Sequence, residues 1–155
     1  VGRLVSIDPG HDTGWASWDS ARLVGCGLCH VKDYPELPFR AGLPIDDLIV
    51  EVPQDYSSNR QVDPNDLISL GYKVGAIVGV FTAYHHLMSR TFTCARVFPR
   101  EWKGQLPKNI CHDRHLPKLD AREKRVLQTA LAEVPNGKRH DVKDAVCLGL
   151  WRIKR

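Results

Sequence analysis

The sequence predicts an α/β fold: a mixed β-sheet flanked by helices, in a single domain over residues 1–155. Three observations predict it. The first thirty or so residues hold three strand-like runs joined by short turns, a meander. The middle of the chain alternates strand, helix and strand. The chain closes on helical patterns, the last densely apolar from Ala145 to Ile153. A chain of 155 residues can bury a hydrophobic core without covalent staples.

Each element has its local reason. Arg3 to Asp8 is a β-rich run that Pro9-Gly10 turns. Thr13 to Trp18 forms a second strand, and Asp19-Ser20 turns it into a third, Ala21 to Val31. Residues 32–45 hold three of the ten prolines and no helical period, and read as a loop. Asp46 to Val52 is a fourth strand with Glu51 near its end, followed by a polar loop over Pro53 to Asp63. Asp63-Pro64 pairs a capping side chain with Pro at the first helical position, starting a helix to about Met88. Thr91 to Phe98 is a fifth strand, and Arg100 to Lys118 reads as irregular and basic. Asp120 to Glu133 is a second helix, Pro135-Asn136-Gly137 breaks the chain, and the last helix opens at His140.

Composition narrows the function classes. With 43% hydrophobic and 26% charged residues the chain is globular rather than disordered or fibrous. A formal charge of +4 permits a polyanionic partner without requiring one. The longest apolar stretch, near Val74 to Ala83, is half of the roughly 20 residues a membrane span needs, so no membrane partner is expected. No secretory pattern opens the chain, and the missing initiator Met is expected to reflect processing or trimming. Five cysteines, an odd number without regular spacing, read as reduced thiols in a cytosol-like compartment.

Four carboxylates stand out by position. Asp8 ends the first strand and Glu51 the fourth, while Asp141 and Asp144 share one face at the start of the last helix. With the meander on one side of the first strand, the fourth can lie on its other side. All four groups then meet at one end of the sheet, where ligand crevices of open α/β sheets lie. Carboxylates about 4 Å apart repel by about 4 kcal/mol per pair at an effective dielectric near 20. Divalent cations remove that cost, and an all-oxygen donor set favours Mg²⁺ or Mn²⁺ over zinc. Two such ions, about 4 Å apart, clamp the attacking and leaving oxygens of a phosphodiester displacement. For each residue a plainer reading stands beside this one: Asp8 as a turn residue, and Asp141 and Asp144 as partners of the helix dipole. Glu51 is harder to explain away, because an unpaired Glu after Leu48-Ile49-Val50 is costly.

Ile7-Asp8-Pro9-Gly10 with Thr13-Gly14, then Ile49-Val50-Glu51, then Asp141-x-x-Asp144-Ala145, resembles the RuvC-type Holliday junction resolvases of the RNase H-like superfamily. Leu70-Gly71-x-x-x-Gly75-Ala76 is similar to that family's helix after the Glu strand. Pro99-x-x-Trp102-Lys103-Gly104 resembles its compact phage-type members. The resemblance implies a five-stranded RNase H-like mixed sheet, a homodimer, and two Mg²⁺ per site, with Mn²⁺ substituting. The implied reaction is symmetric nicking of a four-way DNA junction, leaving 5′-phosphate and 3′-hydroxyl ends. It also implies a cytoplasmic setting, in a bacterium or a phage-infected bacterial host. Asp8, Glu51, Asp141 and Asp144 take the family's metal-binding catalytic positions. His140 stands where some relatives use a His, so it and Asp141 can share or exchange that role. The family's helix between the third and fourth strands is the expected departure, since residues 32–45 do not read as helical.

A substrate grip is expected in the basic segment. Arg96 to Arg125 holds nine Lys or Arg against four Asp or Glu. Lys103, Lys108, Arg114 and Lys118 are candidate phosphate contacts, or else a solvated basic loop. Lys103 or Lys108 can also offset charge developing in the transition state. Trp102 either stacks on DNA or covers the core edge. Tyr56 and Arg60, in the loop after Glu51, are candidates for stacking on an opened base and holding a phosphate. The row Gly71, Gly75, Gly79 either packs closely on its own sheet or makes a helix–helix dimer contact, two-fold related as a junction requires.

Other readings are weaker. Cys26-Gly27-Leu28-Cys29-His30 matches a c-type haem attachment pattern, but Cys26 and Cys29 point to opposite faces of a strand. The same geometry disfavours zinc with Cys111, His112 or His115. His85 and His86 read as surface residues. Three further functions remain as alternatives: a nuclease of this fold for RNA–DNA hybrids, flaps or other branched DNA; a non-catalytic DNA-structure binder; and an ATP-handling domain. The last needs two domains around its nucleotide, more than 155 residues supply.

Overall fold

The computed structural model describes residues 2–54 and 63–154. Among these, five strands form one sheet: β1 (Arg3–Pro9), β2 (Thr13–Asp19), β3 (Arg22–Cys29), β4 (Asp47–Glu51) and β5 (Thr93–Val97). Their order is β3-β2-β1-β4-β5. β1, β2 and β3 pair antiparallel, as short turns between them require, while β4 lies parallel to both β1 and β5. This is the five-stranded mixed sheet expected for an RNase H-like α/β fold.

The helices are α1 (Leu37–Arg40), α2 (Pro64–Leu87), α3 (Pro99–Trp102), α4 (Lys108–His115), α5 (Ala121–Ala132) and α6 (Arg139–Arg152). Strand alternation sorts the core into two layers. Leu4, Ala16, Trp18 and Ile49 pack with the helices α4, α5 and α6 on one face. Val5, Ile7, Trp15, Leu48 and Val50 pack on the other, against α1 and the α2 residues Val74, Ile77 and Phe81. Cys26 and Cys29 fall on these opposite faces, which removes the haem and zinc readings.

Caps start the helices where the sequence places them. Asp63 accepts a hydrogen bond from Asn65 N at 2.8 Å. Asp120 and Glu123 form a reciprocal capping box at the start of α5, and Glu123 also accepts the Leu23 amide at 2.9 Å, tying α5 to β3.

Four expectations fail here. Residues 32–45 are not simply a loop: a 3₁₀ segment, Val31–Glu36, runs into α1, with Pro38 in the first turn where a missing amide costs nothing. Arg100 to Lys118 is not irregular but holds α4, whose Cys111 is fully buried. His85 is buried, not on the surface: its Nδ1 lies 2.8 Å from the Phe81 carbonyl, and its Nε2 accepts the Ile45 amide at 3.2 Å. Finally, Gly71, Gly75 and Gly79 do not pack on the sheet. A Cβ added at any of them would meet nothing within 4 Å. They lie on the outer side of α2 with exposed Ile68, Tyr72 and Leu87. With 24 residues, α2 is also long and apolar enough to cross a bilayer by length and composition alone, more than its longest apolar run suggests.

Candidate active site

The site forms where β1 and β4 end. The parallel register pairs Ser6 with Ile49 and Ile7 with Val50, so Asp8 and Glu51 come next on adjacent strands. Both share the parity of Ser6 and Ile49, which face α6. α6 is fixed there by a short hydrogen-bond chain. The Trp18 indole donates to Ser6 Oγ at 3.1 Å, and Ser6 Oγ donates to the Ala145 carbonyl at 2.7 Å. Asp144, one residue earlier, is thereby held beside Asp8. Gly14 completes the approach, since a Cβ there would collide with the carbonyl of Asp141.

Three carboxylates from three elements thus converge at the strand ends, Asp8 and Asp144 buried and Glu51 partly so. Burial pushes Asp8 well above the usual carboxylate range, and the charges of Glu51 and Asp144 push it further. Glu51 accepts a hydrogen bond from the Trp102 indole at 2.6 Å and an ion pair from Lys103 at 3.2 Å. Asp144, with 1% of its side chain exposed, lies 2.6 Å from His112 Nε2 and 2.9 Å from Lys108 Nζ. Burial raises Asp144, but the His112 hydrogen bond and the Lys108 charge outweigh it and hold the carboxyl below its ordinary value. Lys108 answers in kind: burial lowers its ammonium, and the Asp144 carboxylate outweighs that and raises it.

Asp141 stands at the edge of this group. Burial raises it, His140 and Lys108 lower it, and Asp144 and Asp12 raise it again. His140 is half exposed and its Nε2 lies 2.9 Å from Asp141 Oδ1. The β1–β2 turn beneath is braced from both sides. Lys73 of α2 donates to the Gly10 carbonyl at 2.8 Å, and Lys138 pairs with Asp12, holding that carboxyl below its ordinary value through their hydrogen bond.

The expected DNA contacts divide. Trp102 is 5% exposed and its indole N–H is committed to Glu51, so the stacking role is corrected to that of a carboxylate partner at the core edge. Lys103 and Lys108 both pair with the acidic group, Lys103 mostly buried and Lys108 with half of its side chain exposed. Arg114 and Lys118 lie exposed at and just beyond the end of α4. Tyr56 and Arg60 fall outside the described residues. Sequence reasoning missed His112, Lys73, Asp12 and Lys138. The first had a usable signal: Lys108 and His112 are spaced four apart, as neighbours on one helix face are.

The donor set suits a hard divalent cation. It is all oxygen, and such a cation offsets the burial and the mutual repulsion that together raise Asp8. Among the described residues, no three His, Cys, Asp or Glu side chains are drawn together tightly enough to hold an ion as they stand. The lysines supply the compensating charge.

No protein-family model matches the chain, and no curated protein matches it. Solved structures do. One is T. thermophilus RuvC in complex with a Holliday junction substrate, at 15% identity and TM-score 0.48, covering 99% of this chain and 93% of that one. Another is the yeast mitochondrial Holliday junction resolvase Ydc2, at 11% identity and TM-score 0.49, covering 97% and 77%. A Thermus thermophilus RuvC structure matches at 14% identity and TM-score 0.38, covering 97% and 92%.

Proposed function

We propose that this chain is a single-domain, metal-dependent endonuclease that resolves four-way DNA junctions, acting in a bacterial cytoplasm. The observation that carries the reading is the convergence of buried Asp8 and Asp144 with partly buried Glu51, brought from three elements into one repelling group. Stability alone gives no reason to collect such groups; a site that captures cations does. The sequence motifs around Asp8, Glu51 and Asp144 supply the substrate class.

Asp8, Glu51 and Asp144 would hold two Mg²⁺, with Asp141 completing the set and Mn²⁺ substituting. When bound, the ions supply Lewis-acid activation of water and stabilisation of the leaving oxygen, leaving 5′-phosphate and 3′-hydroxyl ends. The chain's own residues do the rest. Trp102 and His112 orient Glu51 and Asp144. The apolar core behind the strand ends keeps bulk water away from Asp8. Arg114 and Lys118 offer exposed charge for phosphates, and His140 is placed to exchange a proton at Asp141. A second copy docked on the outer face of α2, along Ile68, Tyr72 and the glycine row, would give the paired sites that symmetric cleavage needs.

The test is cleavage of a mobile four-way junction, a flap, a plain duplex and an RNA–DNA hybrid under Mg²⁺, with Asp8→Asn alongside. Junction-selective paired nicking, lost in Asp8→Asn while junction binding persists, is expected. Preferential cutting of the hybrid or flap would move the chain to another substrate within the nuclease class. Junction binding that Asp8→Asn leaves unaltered, without any cutting, would make it a non-catalytic binder.

A further inference from the structure

Glu51 and Asp144 are each held by two donors from one short stretch of chain, and the donors within a pair are not alike. On α4, Lys108 and His112 stand one turn apart and take different oxygens of Asp144. His112 is mostly buried and meets Oδ1 at 2.6 Å. Its neighbour Cys111 is fully buried in the same core cluster as Cys147 of α6, which seats this end of α4 on α6. The Lys108 side chain is 52% exposed. It reaches Oδ2 at 2.9 Å as an ion pair that leaves this buried oxygen without an aligned hydrogen bond. One donor is therefore fixed in the core, and the other is an ammonium at the end of a flexible, half-exposed four-carbon stem.

A divalent cation bound at Asp144 needs the lone pairs of Oδ2, and an ammonium and a metal ion cannot occupy them together. We propose that Lys108 is a displaceable placeholder for the catalytic cation at Asp144, that His112 is the positioning residue that keeps Asp144 aimed during the exchange, and that the released Lys108 becomes a phosphate contact. The proposal rests on the metal-dependent reading above. It explains how the pocket exists without ions: the lysine offsets the repulsion until a cation arrives. It also couples the two ligands. Cation entry frees one positive charge for DNA, so each ligand favours the other by the same factor.

Mn²⁺ binding in the absence of DNA, followed by electron paramagnetic resonance and calorimetry, reads the first half. Lys108→Gln is expected to bind Mn²⁺ about tenfold more tightly than the parent chain, because its competitor is gone. Arg114→Gln removes the same charge from the exposed end of α4 and is expected to change affinity less than about twofold by comparison. His112→Ala is expected to weaken Mn²⁺ binding by about tenfold or more, with partial recovery in His112→Gln, whose amide can still donate. The salt dependence of junction binding reads the second half. Replacing EDTA by Ca²⁺ is expected to steepen the parent chain's slope by about one unit, and to leave that of Lys108→Gln unchanged.

Equal Mn²⁺ affinities for Lys108→Gln and Arg114→Gln would overturn the placeholder. So would a slope that still steepens in Lys108→Gln. A His112→Gln variant as weak as His112→Ala would overturn the positioning role, and does so even where His112→Ala fails to fold if His112→Gln folds and does not bind. Should the parent chain bind no Mn²⁺ at all, the metal-dependent reading falls too; Mn²⁺ binding indifferent to Lys108 sinks this proposal alone.

Discussion

α6 and α2 cover opposite faces of one sheet, yet the structure uses them differently. α6 is buried almost continuously from Val142 to Leu150 and delivers Asp141 and Asp144 to the strand ends. α2 is ten residues longer, 24 against 14, yet buries only Val74, Ile77, Phe81 and His85. Its other side presents Ile68, Tyr72, Leu87 and three glycines where an added Cβ would meet nothing within 4 Å. A helix gripped all round has its position set by its own domain, and can aim a carboxylate. A helix with an open apolar side is fitted to something else, which here is proposed to be a second copy.

The largest expected effect breaks the α6 half of that contrast. Ala145 is fully buried and its carbonyl receives the Ser6 hydroxyl. Ala145→Leu should overpack this contact at a cost of about 1–3 kcal/mol. It should also displace Asp144 enough to abolish cleavage. Ala83→Leu, at an exposed position on α2, should stay within about 0.5 kcal/mol. Urea titrations of the two variants check this; equal losses would mean that α2 is as tightly gripped as α6.

Next comes the price of the site at the head of α6. Asp8 has its carboxyl raised, by burial first and by Glu51 and Asp144 second. A raised carboxyl binds protons more tightly in the folded chain than in the unfolded one. Its contribution is therefore fully present below the ordinary value of 3.8 and is lost as pH climbs through the raised value. Asp144 runs the other way: it is lowered, and its contribution is lost on acidification through that lowered value. Asp8→Asn should accordingly raise the melting temperature of the metal-free protein near neutral pH by a few degrees, while removing cleavage. It should also flatten the fall in stability with rising pH above 3.8. Thermal melts in EDTA across pH check both; a lower melting temperature at neutral pH would show that Asp8 is not repelled.

The same contrast explains what the sequence discloses. Strands β1 to β5 and the Asp63-Pro64 cap follow from local patterns, which are short-range information, and the meeting of Asp8 with Glu51 follows once the meander leaves one side of β1 to β4. α4 does not. Lys108-Asn109-Ile110-Cys111-His112 has no side-chain cap and little apolar period, and the helix is held by Cys111 against α6, a contact no local pattern announces. His112 was hidden with it. α1 is concealed by Pro38, which reads as a loop marker although a first-turn proline is compatible with a helix, and by Pro35 inside the 3₁₀ segment before it. His85 was legible in principle, since it continues the buried row of Val74, Ile77 and Phe81 at helical spacing. The glycine row shows the limit of spacing, which places residues on a common face without saying what that face meets; an added Cβ on this one would meet nothing within 4 Å.

On α2 the contrast can be sharpened at two positions. Tyr72→Glu puts a charge on the open side, at a residue 75% exposed. Monomer stability should stay within about 0.5 kcal/mol. Self-association, followed by light scattering across concentration, should weaken by tenfold or more. Association that is unchanged would place the two-fold contact elsewhere on the molecule.

Gly75→Ala is the smallest change and separates the two states most cleanly. With nothing within 4 Å of the added Cβ, the single chain gains helix propensity, about 1 kcal/mol at most. Across a close helix–helix contact the same methyl group pushes two backbones apart. The variant should therefore melt higher when dilute and monomeric, yet associate more weakly when concentrated. The opposed signs matter more than either magnitude, since a merely solvated helix face would give the first effect without the second. Equilibrium denaturation at low concentration and sedimentation at high concentration measure them separately. A variant that is stabilised and associates as well as the parent would show that the glycines are open to water rather than to a second α2.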